Sequence, residues 1–218
     1  MPKISALPPI AALAADDETP AVDDSASSTG KFTVQQILTW LQTQTDWVKK
    51  SMVDYDDEVA WEELGRATLG SAASSMTLSG LTGRTYLRII VTATKATLSP
   101  RIGIRFNNDS GSKYNTRQSS NGSADTTGGP YTEVRPTTGN IGQREYAVLD
   151  VLNIASAEKL YYNHSVENGA NGTGTDPDRR EQVGKWVETS NQITRVDLVN
   201  ANTGTFAAGS TLIVLGRD

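Results

Sequence analysis

Few residues in this chain could do covalent or metal chemistry. Its 218 residues include no cysteine and a single histidine, His164. That removes thiolate zinc sites, cysteine nucleophiles, disulfides and any site built on paired histidines. A Ser-His-Asp triad would have to run through His164, but no Gly-x-Ser-x-Gly turn accompanies it, and Gly70-Ser71 leads into Ala72-Ala73. His164 follows Lys159-Leu160-Tyr161-Tyr162-Asn163 at the expected end of a strand, where an exposed or hydrogen-bonded imidazole needs no catalytic explanation. Glu133, Asp150 and Glu167 are acids of the kind glycosidases use in pairs, but only the fold could pair them. Thr29-Gly30-Lys31 lacks the earlier glycine of a phosphate-binding loop, and Phe32 stands where a hydroxyl should hold magnesium. The expectation is therefore a protein that is not an enzyme and uses no cofactor.

Two patterns suit binding rather than catalysis. Asn107-Asn108-Asp109-Ser110-Gly111 offers oxygen ligands before a glycine, as calcium loops do, but its first ligand is an amide and no closing bidentate glutamate follows. An Asx-turn closing a hairpin after Phe106 is the favoured reading, Asp176-Pro177-Asp178 is read in the same way, and no metal is expected. Tyr114 and Tyr131 fall in what reads as loop and are candidate glycan contacts, because sugar-binding sandwiches stack pyranose faces on exposed rings. Strand alternation instead sends Trp186 and one of Tyr161 and Tyr162 into the core.

The charge balance, 20 basic against 25 acidic residues for a net −5, gives no sign of a nucleic-acid partner. The run Ile10–Ala15 is too short and alanine-rich for a signal peptide, and no stretch of about 18 apolar residues predicts membrane insertion.

The elements that would hold these residues fall into three parts. Residues 1–32 are rich in Ala, Pro, Asp and Ser, with hydrophobes too sparse to close a core, and four prolines in the first twenty residues favour an extended arm. Residues 33–58 read as a short helix and an acidic linker. Thr33-Val34-Gln35-Gln36 has the form of a capping box, and Ile37, Leu38 and Leu41 share a face; Trp40 and Trp47 need cover from the domain or a partner subunit. Asp54-Tyr55-Asp56-Asp57-Glu58 is the linker. Residues 59–218 carry eight or nine short strands, seen in runs such as Tyr86–Ala93, Arg101–Phe106, Tyr146–Val151, Lys159–Tyr162, Val183–Val187, Ile193–Leu198 and Leu212–Leu215. Turn-formers separate them and no crossover helix is evident, so the expected fold is mainly β: an antiparallel sandwich of jelly-roll type behind an extended arm and one short helix. Asn107–Gln143 reads as a single long loop, of the kind that is functional or intersubunit.

These segments together resemble a known group. Met1-Pro2-Lys3-Ile4-Ser5-Ala6-Leu7-Pro8, then Asp16-Asp17-Glu18-Thr19-Pro20-Ala21-Val22-Asp23, then Ser28-Thr29-Gly30-Lys31-Phe32-Thr33 before a short helix, resemble the N-terminal arm of tailed-bacteriophage virion proteins. The stretches Trp61–Arg66, Arg105–Tyr114 and Gly209–Gly216 are similar to β-sandwich domains of phage structural proteins. The resemblance implies a location in the virion, as a head fibre, decoration, tail fibre or spike. The arm would dock onto a capsid or tail protein through Ile4, Leu7, Pro8, Ile10, Leu13, Val22 and Phe32. It also implies a homotrimer, for which Ile37, Leu41 and Val48 could form a three-helix seam. The alternative is an adhesin whose loops around Tyr114 and Tyr131 grip a host-surface saccharide.

Overall fold

The computed structural model describes residues 18–21, 30–33, 39, 60–136, 143–169 and 172–218. The chain divides into two units, Met1–Asp57 and Glu58–Asp218.

In the first unit, β1 (Glu18–Ala21) pairs antiparallel with β2 (Gly30–Thr33), in a register from Glu18↔Thr33 to Ala21↔Gly30. Over these residues the backbone is extended, as expected of the arm, and the two strands satisfy each other's donors and acceptors. Thr33, read as a helix cap, closes β2, and Thr39 beyond it is helical. Ile4, Leu7, Pro8, Ile10, Leu13, Val22, Ile37, Leu41 and Val48 lie outside the described residues.

The second unit is an antiparallel sandwich of two unequal sheets. Its strands are β3 (Glu62–Thr68), β4 (Ser75–Ser79), β5 (Tyr86–Ser99), β6 (Ile102–Phe106), β7 (Tyr114–Ser120), β8 (Thr126–Tyr131) and β9 (Arg144–Leu152), followed by β10 (Lys159–Asn168), β11 (Asp178–Trp186), β12 (Arg195–Asn200), β13 (Thr203–Phe206) and β14 (Thr211–Arg217). The larger sheet runs β3-β14-β5-β9-β10-β11-β7-β8, with β13 added to the far end of β5; the smaller is β4-β12-β6. Asn107–Gln143 is not one long loop, because β7 and β8 form a hairpin inside it. Their sequences, YNTRQSS and TTGGPY, carry almost no aliphatic residue, so no hydrophobic alternation marked them as strands.

Period-two alternation decides which side chains face inward. Leu87, Ile89, Val91 and Ala93 of β5, Ala147, Leu149 and Val151 of β9, and Leu212 and Val214 of β14 are buried against Ile102, Ile104 and Phe106 of β6 and Val196 and Leu198 of β12. An aromatic cluster closes one side: Phe106, Tyr114 and Trp186 have ring centroids 5.5–6.1 Å apart. Toward the other end of β10 the inward positions become polar. Asn163 Nδ2 and Ser165 Oγ donate to the Pro136 carbonyl, and Gln182 Nε2 donates to the carbonyl of Arg135 and to Thr116 Oγ1. Lys159 is buried at the start of β10, its ammonium donating to the carbonyls of Ala155, Ala157 and Glu188 at 2.9–3.2 Å.

Candidate binding groove

The alternation that buries one face of the large sheet leaves the opposite face open, and this outer face mixes apolar and aromatic residues with charged ones. In β10 the outward residues are Leu160, Tyr162, His164 and Val166, all exposed. Register carries two rows across the sheet. One reads Arg217, Tyr86, Leu152, Leu160, Lys185 and Asn115 from β14 to β7; the next reads Arg88, Asp150, Tyr162, Val183, Arg117 and Thr127 from β5 to β8. With Trp61, both rows line a groove of about 860 Å³. That volume lies within the range of small-ligand sites.

A fixed hydrogen-bond network forms part of the floor. Arg88 grips Asp150 through two bonds, Nε to Oδ1 at 2.6 Å and Nη2 to Oδ2 at 2.8 Å, and the Tyr162 hydroxyl donates to Asp150 Oδ2 at 2.5 Å. Burial pushes the Asp150 carboxyl up, but the bonds from Arg88 and Tyr162 outweigh it and hold the group below the usual carboxylate range. Arg88 also lies over the Trp61 ring, 4.8 Å from its centroid, and Arg217 lies 4.9 Å from the same ring and 5.5 Å from that of Tyr86.

The charges on the groove are compensated unequally. Arg88 is paired with Asp150, Lys185 with Glu158 at 2.8 Å, and Arg117 with Asp125 at 3.7 Å. Among the described residues Arg217 makes no ion pair, and its Nε is buried without an acceptor. The four groove cations thus face three acids: Arg217 lends its charge to Asp150, which Arg88 already grips, and is the cation without an ion pair of its own, beside the Trp61 and Tyr86 rings.

Asp150 apart, the chemistry considered from the sequence lies elsewhere. Phe106–Asp109 is a tight turn with Asn107 and Asn108 at φ 51° and 56°, values that asparagine tolerates. Asp109 Oδ1 accepts the Gly111 N–H at 2.8 Å, which is the Asx-turn expected there; Oδ2 accepts Trp186 Nε1 at 2.9 Å and lies 3.2 Å from Lys113 Nζ. Asp178 accepts from Asn121 Nδ2. His164 is an exposed mid-strand residue beside the Tyr162 ring, not a strand-end residue. Glu133, Asp150 and Glu167 are not brought together: Glu133 is held by Thr132, Arg105 and Arg135, Asp150 by Arg88, and Glu167 by Arg180.

Tyr114 is wholly buried and cannot touch a saccharide. Its hydroxyl donates to the Asp109 carbonyl at 3.0 Å and accepts the Phe106 N–H at 3.1 Å. The polar sequence after it hid its strand. Tyr131 is half-buried at the end of β8, its ring under the Arg135 guanidinium at 4.2 Å. Tyr161 and Trp186 are buried and Tyr162 is exposed, as alternation requires. One signal of the groove was present in the sequence. Lys159–Tyr162 and Val183–Val187 place apolar residues at both parities, whereas a half-buried strand with one solvated face keeps polar residues on that face.

The chain has no match among known family models, curated proteins or solved structures.

Proposed function

We propose that this protein is a non-enzymatic structural component of a tailed-phage virion. Its N-terminal segment attaches to a capsid or tail protein, and the sandwich is displayed as a head fibre, decoration, tail fibre or spike in a homotrimer. The observation that carries this reading is the division of the chain into two units, Met1–Asp57 and Glu58–Asp218, with the described core drawn from the second. A segment that forms a unit of its own is available for attachment, with the spaced hydrophobes named above as its contacts and multivalency raising its avidity. Three of the four buried acids among the described residues support the non-enzymatic part of the reading; the fourth, Glu145, accepts no hydrogen bond. Glu133, Asp197 and Glu167 each face arginine partners that tie down strands and turns.

Assembly of particles with the full chain, or with a chain lacking residues 2–32, tests the attachment. The shortened chain is expected to fold and to be missing from purified particles; its retention at full occupancy would overturn the reading. Light scattering of the full chain is expected to give a trimer mass, and removal of residues 1–58 a monomer.

A further inference from the structure

We propose that the groove on the outer face of the large sheet binds an anionic saccharide, with Arg217 receiving the acidic group and the Tyr86 and Tyr162 rings receiving sugar faces. The proposal does not depend on how the chain is anchored.

Three features of the groove define the ligand. First, Tyr86 and Tyr162 are 42% and 51% exposed, on either side of the aliphatic Leu152 and Leu160. Pyranose rings offer C–H faces that pack on such surfaces while their hydroxyls remain in water or reach polar neighbours. Asp150 is held ionised by its bonds, and Asn115 and Lys185 stand at the end of the adjoining row, so donors and acceptors flank the apolar strip. Second, the charge count is small. The other three cations have acidic partners, which leaves the planar fork of Arg217 to take a carboxylate by paired N–H bonds. A ligand with one acid among neutral sugars matches that balance, whereas a polyphosphate backbone would need a row of free cations. Third, the groove crosses β5, β9, β10, β11 and β7, each hydrogen-bonded on both sides. An extended peptide laid across these five strands finds no free strand edge to pair with, so it loses the main-chain bonds that carry peptide affinity in strand addition. An oligosaccharide does not depend on a strand edge: its C–H faces pack on the rings while its hydroxyls reach the polar lining or water.

The test is calorimetric titration of the full chain with sialyllactose and trigalacturonate, each against a neutral counterpart, lactose and maltotriose. Oligothymidylate and a glutamate-rich peptide serve as polyanions of other classes. Binding of at least one acidic sugar, at least tenfold tighter than its neutral counterpart and weakened by salt, is the expected result. Arg217→Gln should remove the preference for the acid, and Tyr162→Ala should weaken both members of the pair at least tenfold while the thermal melt stays near that of the parent. Four results would overturn the proposal: no saccharide binding, equal affinity for acidic and neutral sugars, indifference to both substitutions, or tighter binding of the oligonucleotide or peptide.

Discussion

Glu145 and Glu167 face each other in register across β9 and β10, both buried, and neither oxygen of Glu145 accepts a hydrogen bond. Arg180 approaches Glu167 at 3.7 Å on the other side. Burial, and after it the charge of Glu167, push the Glu145 carboxyl up to about 8, with Arg180 pulling weakly the other way. The sandwich therefore holds Glu145 protonated at neutral pH, which is the less costly state for an acid without partners in the interior.

A pH dependence follows from this pair. Below the unfolded pKa near 4.5 both states of Glu145 are protonated and no penalty arises. As pH rises toward 8 the folded state binds the proton more strongly than the unfolded chain, so stability falls across that window and levels off above it. Each pKa unit of separation is worth about 1.4 kcal/mol. Urea midpoints at pH 5.5 and 8.5 should show the parent less stable at the higher pH. Glu145→Gln, which cannot ionise, should flatten most of that difference; an unchanged slope would place the proton elsewhere.

Tyr114 is predicted to act in stability alone. Tyr114→Phe removes the hydroxyl that bridges the Asp109 carbonyl and the Phe106 amide and should cost about 1–2 kcal/mol. Tyr114→Ala also opens a cavity beside Phe106 and Trp186 and should cost about 3–5 kcal/mol. Chemical denaturation measures both. Ligand binding by folded Tyr114→Phe should equal that of the parent.

Gly184 has no room for a side chain. A Cβ there would overlap the Tyr161 hydroxyl and the Asn115 carbonyl, so the glycine lets the buried Tyr161 ring lie across β11. Gly184→Ala should destabilise by about 1–3 kcal/mol through displacement of that ring. Because Tyr161 is then less tightly packed, its near-ultraviolet signal should change along with the denaturation midpoint.

The sequence by itself determined the fold class, because apolar residues at alternate positions in Tyr86–Ala93, Arg101–Phe106 and Tyr146–Val151 can bury one face only as strands, and turn-formers between them leave no room for crossover helices. It also determined the Asx-turn at Asp109, whose hydrogen bond to Gly111 spans two residues and needs no distant partner. The tertiary structure decided what depends on neighbours from far along the chain. β7 and β8 are strands because β11 supplies a partner edge and Trp186 and Phe106 enclose Tyr114, and no local periodicity records that. The groove exists because register sets Tyr86, Leu152 and Leu160 side by side, from positions up to 74 residues apart in a chain whose 218 residues carry no motif for them. Arg217 is the groove cation without an ion pair of its own only because folding gives the other three acidic partners and leaves it beside Trp61 and Tyr86, a matter of spatial pairing that charge along the chain does not encode.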